Sequence, residues 1–272
     1  MNMNALKRLL VAALIATLAV ACATSPTGRR QLLIVSEESA IVSSKEAYIT
    51  TVKQLDEAGK VAKKPAVKAR VNAITGRLIT EAIKMRPDTK NWEWSVVVID
   101  DPETVNAWCM AGGRMAIYTG LLEQLKPTDD ELAQVMGHEI SHALAKHTAE
   151  KMSMQIATSV GIAVVGIASD NTNVALTGAA LAAMLAVNLP NSRAAEKEAD
   201  RIGIELAAKA GYNPAAAATL WQKMGANSKS RTPQFLSTHP DPENRQAKLA
   251  KLEPNMAQFY FPDAEHPVYP LP

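Results

Sequence analysis

Gly137-His138-Glu139-Ile140-Ser141-His142 decides how the rest of the chain is read. It is an H-E-x-x-H pentapeptide behind a glycine, within apolar residues at helical spacing: Leu132, Val135, Met136, Ile140 and Leu144. Residues four apart share one helical face, so both imidazoles reach a single metal ion. Glu139 points about 100° round the helix, close to a metal-activated water without being a ligand. Zinc brings the pKa of such a water to about 7, and Glu139 takes its proton and later passes it to the leaving amine. Gly137 leaves space beside the first ligand.

The helix has a clear start. Thr128 and Glu131 form a capping box, with Asp129 and Asp130 in the first turn, and the pattern runs to about Met154. Catalytic zinc usually has three protein ligands and an open position. His147 is a poor third ligand, because five residues past His142 it points away from the metal face. Downstream, Asn191 to Asp200 offers Glu196 and Asp200 four apart on one face of a second helix. One carboxylate then meets the metal, and the other stands behind it where it hydrogen-bonds a ligand imidazole. The alternative is a solvated acidic face paired with Lys197 and Arg201.

Around these two helices the chain reads as α+β, mostly helical, with a small β-sheet beside the H-E-x-x-H helix. Ser36 to Leu55 and Lys64-Pro65 to Met85 have helical starts and spacing. Trp94 to Ile99 is a Val-rich strand, and Asn106 to Tyr118 is two short strands around Gly112-Gly113. Gly120 to Leu125 begins another helix or turn. Ile156 to Leu189 is rich in Ala, Gly and Val, interrupted at Ser169 to Asn173. It reads as a buried or groove-covering helical hairpin, or as one that dips into a membrane. Ala194 to Ala210 is helical and ends at Gly211, Pro214 to Met224 is helical, and Thr232 to Asn244 is loop-like before a short helix to Leu252.

With these segments in view, the chain resembles the zinc metallopeptidase family that includes HtpX and the CAAX prenyl proteases, most closely its soluble bacterial lipoprotein branch. Four segments carry the resemblance: Asn106 to Leu121, Gly137 to His147, Ser192 to Asp200, and Thr238-His239-Pro240 with Glu243-Asn244-Arg245. Two departures, Ala111 before the Gly pair and Asn191 before Ser-Arg, touch no ligand. The resemblance implies a zincin-like fold and one zinc per chain, held by His138, His142 and Glu196. It implies that His239 sits across the metal from Glu139 and stabilises the oxyanion. It further implies that Arg193 and Arg245 hold the carboxylates or the substrate backbone, and that His147 and Asp200 support the ligands from behind. The hairpin carrying Asn106, Gly112 and Gly113 offers an edge where an extended, unfolded peptide adds as a strand.

The N-terminus sets the expected location. Lys7 and Arg8 precede an apolar run from Leu9 to Ala21, which has signal-peptide length and is too short to span a membrane. Leu18 to Cys22 resembles a bacterial lipobox. The expected organisation is a signal peptide over 1–21, a lipid-anchored tether over 22–35 beginning at a lipidated Cys22, a metallopeptidase domain over 36–253 and a Pro- and aromatic-rich tail over 254–272. An ordinary cleaved signal with an incidental cysteine is the other reading. Ala23 after the cysteine favours the periplasmic face of the outer membrane. Cys109 is then alone and reads as an apolar filler. Lys7 and Arg8 are two of 29 basic residues, so the processed chain is neutral, with 27 acidic groups and no basic run. That argues against nucleic-acid binding. The expected substrates are unfolded or misassembled envelope proteins. The competing readings are an envelope lipoprotein that chaperones or binds outer-membrane proteins around a latent or structural zinc, and an unrelated lipoprotein with a chance H-E-x-x-H.

Overall fold

The computed structural model describes residues 22–168, 189–227, 234–239 and 245–272. The expected signal peptide over 1–21 and most of the expected hairpin over 156–189 lie outside these residues. The chain divides into two compact units, one from Met1–Ala40 with Lys146–Pro190, the other from Ile41–Ala145 with Asn191–Pro272.

In the first unit, β1 (Cys22–Thr24) and β2 (Arg30–Leu32) form an antiparallel hairpin. The segment expected as a polar tether therefore carries regular structure. Its turn closes through Ser25, whose backbone N–H donates to the Arg29 carbonyl at 2.8 Å, and through Gly28 at φ +85°. The hairpin is fixed to a long helix, α5 (His147–Ala168). Arg29 donates twice to the buried Glu150 carboxylate, at 2.7 and 2.6 Å, and Gln31 donates to it at 2.9 Å. Among the described residues, no helix is long and apolar enough to cross a membrane.

The second unit holds the rest of α1 (Glu37–Glu57), then α2 (Pro65–Met85), the sheet, α3 (Thr119–Leu125) and α4 (Asp129–Leu144). It continues with α6 (Leu189–Lys209), α7 (Ala216–Asn227), α8 (Gln234–Thr238) and α9 (Arg245–Met256). The sheet has β5 (Arg114–Tyr118) at its centre, parallel to β3 (Ser95–Ile99) and antiparallel to β4 (Ala107–Met110). This leaves β4 as an edge. Gly112 and Gly113 make the β4–β5 turn at φ +86° and +82°. A Cβ on Gly113 would lie 2.4 Å from the Trp94 ring, so both backbone and packing demand glycine there.

The core gathers Leu78, Ile79, Met115, Ile117, Leu132, Met136 and Ile140, all fully buried. α4 runs through it and is buried on nearly every side, which its apolar sequence permits. Its capping box forms as read, with Glu131 N–H to Thr128 Oγ1 at 3.2 Å and Thr128 N–H to Glu131 Oε2 at 2.8 Å. The helix expected to continue to Met154 instead stops at Leu144. Lys146 adopts φ +58°, and the Arg86 guanidinium donates to the Leu144 carbonyl at 3.0 Å. No Gly or Pro marks this stop, because the cap comes from a residue far away in sequence. α6 ends as expected in a Schellman turn: Tyr212 N–H donates to Ala207 O at 2.9 Å and Gly211 N–H to Ala208 O at 3.0 Å. The stretch expected as loop around residue 235 carries α8.

Candidate metal centre

The two motif helices meet backbone to backbone. A Cβ on Gly203 of α6 would lie 2.9 Å from the His138 nitrogen, and one on Gly137 of α4 would lie 3.0 Å from the Gly203 carbonyl oxygen. Two glycines facing one another let α6 approach closely enough for Glu196 to reach the histidines. Ser141, between the two histidines, turns its hydroxyl back to the Gly137 carbonyl at 2.6 Å.

The two imidazoles and the Glu196 carboxylate then close on one another, each carboxylate oxygen facing a different histidine. His138 Nε2 is 3.1 Å from His142 Nε2 and 3.3 Å from Glu196 Oε2, and His142 Nε2 is 3.4 Å from Glu196 Oε1. Zinc bonds of about 2.0–2.1 Å in a tetrahedron require ligand separations of roughly 3.3–3.4 Å. The donor set therefore fits a zinc-sized ion in chemistry and in spacing. His239 Nδ1 joins the set, 3.1 Å from both Glu196 oxygens and 3.3 Å from His138 Nε2. Ligand atoms of His138, His142, Glu196 and His239 all lie within 4.8 Å of one another.

Behind these donors stands a charged layer. Asp200 Oδ1 lies 3.2 Å from His138 Nδ1, where a carboxylate fixes the tautomer that leaves Nε2 for the metal. Arg245, almost fully buried, donates Nε–H to Asp200 Oδ2 at 2.7 Å and pairs through Nη1 with Glu196 Oε2 at 3.1 Å. Its guanidinium lies 4.0 Å above the Trp221 ring. Arg245 thus bridges two carboxylates, the buried Glu196 and the partly buried Asp200. Burial alone would raise the Glu196 carboxyl, but hydrogen bonds with His138 and His239 and the nearby His142 hold it well below the usual carboxylate range. Burial and the Arg245 charge favour neutral His138, yet hydrogen bonds with Asp200 and Glu196 outweigh them and push it up to about 9.

Glu139 is buried, and its Oε1 has no hydrogen-bond partner among the described residues; it faces His239 Nε2 at 3.3 Å. Burial pushes its carboxyl up, the direction that suits a general base. His239 thus touches both Glu139 and the donor set through its two nitrogens.

The other residues singled out from the sequence fall in different places. Asn106 is buried just before edge strand β4, and its side-chain oxygen lacks a hydrogen-bond partner among the described residues. Gly112 and Gly113 make the turn at the far end of that strand. Arg193 is exposed near the start of α6. His147 is buried at the start of α5, in the first unit, and is not among the four clustered donors. Cys22 opens β1. Three residues of the site carry no such signal in the sequence. Gly203 looks like an ordinary helix glycine, and Trp221 and Phe235 look like ordinary core. Only a G-H-x-x-x-H pattern facing an E-x-x-x-D-x-x-G pattern hints at the close crossing.

Comparison with known proteins agrees with the resemblance drawn from the four segments. The description "Peptidase family M48" matches residues 65–253. The chain is 37% identical over 160 residues to mitochondrial metalloendopeptidase OMA1 of Arabidopsis thaliana, covering 58% of this chain and 31% of that one. It is 32% identical over 240 residues to mitochondrial metalloendopeptidase OMA1 of Bos taurus, covering 84% and 45%. It is 29% identical over 205 residues to the beta-barrel assembly-enhancing protease of Escherichia coli, covering 72% and 41%. The chain thus spans less than half the length of each of these relatives. A match of this extent, over a zincin-like donor set on two crossing helices, means that the chain belongs to peptidase family M48.

Proposed function

We propose that this chain is a zinc-dependent endopeptidase of the bacterial cell envelope that cleaves misfolded or misassembled proteins. The observation that carries the reading is the cluster of His138, His142 and Glu196 beside the buried Glu139 carboxylate, which faces His239. A zinc ion there supplies a Lewis acid that polarises the scissile carbonyl and brings the pKa of water to about 7. Glu139 accepts the proton of the attacking water and delivers it to the leaving nitrogen. Asp200 keeps His138 in the ligating tautomer, and Arg245 pairs with the Glu196 carboxylate. Edge strand β4 offers unpaired backbone groups to an extended substrate, which selects for unfolded segments.

The envelope part of the reading rests on the Lys7-Arg8 start, the apolar run and the Leu18-to-Cys22 box. The relatives' names divide between mitochondrial metalloendopeptidases and beta-barrel assembly-enhancing proteases. Anchoring at Cys22 predicts that Cys22→Ser moves the protein from the membrane to the soluble fraction, read by fractionation.

Glu139→Gln tests the chemistry. It is expected to retain zinc and the fold and to lose roughly 10²–10⁴-fold in cleavage of an unfolded protein such as casein. Full activity in that variant rejects the mechanism. One observation favours a second reading, a latent site: His239 Nδ1 lies where a fourth donor would. On that reading His239→Ala raises proteolysis, whereas the oxyanion role requires that it fall.

A further inference from the structure

We propose that Phe235 is a positioning residue that sets His239 against the metal donors, and that this inward-facing ring, rather than α8 itself, fixes the His239 imidazole. The proposal rests on reading the four-residue cluster as a metal site. α8 has five residues, Gln234–Thr238, and a single turn does not hold itself together in water. It is fixed at its start by the Phe235 N–H, which donates to the Val105 carbonyl at 3.0 Å. At its end the His239 N–H donates to the Phe235 carbonyl at 3.0 Å. Phe235 therefore holds both ends of the turn.

Its side chain makes the second connection. Phe235 is 1% exposed, and its ring lies 4.5 Å from the His239 ring at an interplanar angle of 31°, a close tilted contact. The same ring lies 6.1 Å from His138 and 5.9 Å from Trp221, the ring that carries Arg245. Trp221 and Phe235 so form a shelf beneath the cationic and imidazole groups that meet Glu196. The other rings against His239 are His138 and His142, themselves members of the donor set. Among the described ring contacts, Phe235 is the one wall of the His239 ring that is not itself a donor. Removing it frees the imidazole to rotate, so that Nδ1 no longer faces Glu196 and His138. Partners behind metal ligands typically change metal affinity 10–100-fold.

A double-mutant cycle on the full chain tests this. Zinc affinity is measured by competition with a chromophoric chelator, and the visible spectrum is recorded with Co²⁺ in its place. Phe235→Leu is expected to weaken zinc binding roughly tenfold and to shift the Co²⁺ bands in the direction given by His239→Ala. In the His239→Ala background, Phe235→Leu is expected to change affinity by less than about twofold, because its route to the metal is already gone. Equal losses in both backgrounds, or an unchanged affinity and spectrum in Phe235→Leu, overturn the proposal. If Phe235→Leu does not melt cooperatively, Phe235→Met, which refills more of the space, enters the same cycle under the same criteria. A wild-type chain that takes up no zinc overturns the metal reading itself, whereas zinc bound equally by wild type and Phe235→Leu overturns only the role of Phe235.

Discussion

His138 carries competing demands, and the residues around it show how they are met. It must be neutral to hold a metal, yet the carboxylates of Asp200 and Glu196 push it up to about 9 against burial and Arg245. Metal binding therefore displaces a proton. Below about 9 that proton competes with the ion, so apparent zinc affinity falls as pH falls, by up to tenfold per pH unit near neutrality. Chelator competition at pH 6, 7 and 8 checks this; a flat profile contradicts it. Asp200→Asn keeps the shape but removes the charge that orients Nδ1–H, so zinc affinity is expected to drop about 10–100-fold. Arg245→Met is harsher, because it leaves Asp200 and Glu196 buried without their cation, a loss of about 3–5 kcal/mol of stability. Thermal melts of the two variants separate these effects. Much of this layer was legible in the sequence, because the i, i+4 spacings at His138/His142 and Glu196/Asp200 are local geometry. The placing of Arg245 came only through resemblance, since nothing near it in sequence announces a buried partner. Phe235 and Trp221 were not legible at all, because an aromatic ring signals core whichever group it packs against.

The elements follow their local signals where those signals are local. Thr128 with Glu131 starts α4, and Gly211 ends α6, both as read. The misjudged boundary is the end of α4, where a distant arginine caps the helix and Lys146 turns left-handed. Sheet order was equally out of reach: β3 pairs in parallel with β5 and not with β4, the next strand in sequence, a choice made by tertiary packing. The crossing of α4 and α6 is where an element-scale prediction belongs. At Gly203 an added methyl meets the His138 backbone at 2.9 Å, against atoms that cannot swing aside. Gly203→Ala should force the helices apart, carry Glu196 away from the histidines and lower both melting temperature and zinc affinity. Gly161, within α5, has no atom of the described residues within 4 Å of an added Cβ, so Gly161→Ala should stabilise slightly, by ~0.5–1 kcal/mol. Parallel melts of the two variants, with and without zinc, distinguish crowding at the crossing from any general effect of losing a helix glycine.

At the scale of the whole molecule, the match to the family stops at residue 253, yet the chain packs on beyond it. The tail was expected as an appendage without regular structure, and it does lack helices and strands after the short 3₁₀ turn at Ala257–Phe259. It is nonetheless docked. Tyr269 N–H donates to the Gly76 carbonyl at 3.1 Å, and a Cβ at Gly76 would strike the Tyr269 carbonyl oxygen at 2.6 Å. Tyr260, Tyr269 and Leu271 pack against the core, and Lys209 lies 4.7 Å over the Phe259 ring. The tail therefore covers α2 and the C-terminal end of α6. Glu196 lies thirteen residues up that helix from Lys209, about 20 Å away at 1.5 Å per residue. Stability and metal binding should consequently separate. Removing residues 258–272 strips partly buried aromatic and leucine side chains and should cost ~2–3 kcal/mol, a fall in melting temperature of roughly 5–10 °C. Zinc affinity of the truncated chain, measured below its melting range, should stay within about twofold of the full chain, because distant sites contribute independently. A loss of zinc comparable to that of Asp200→Asn would instead mean that the tail sets the pitch of α6 and, through it, the reach of Glu196.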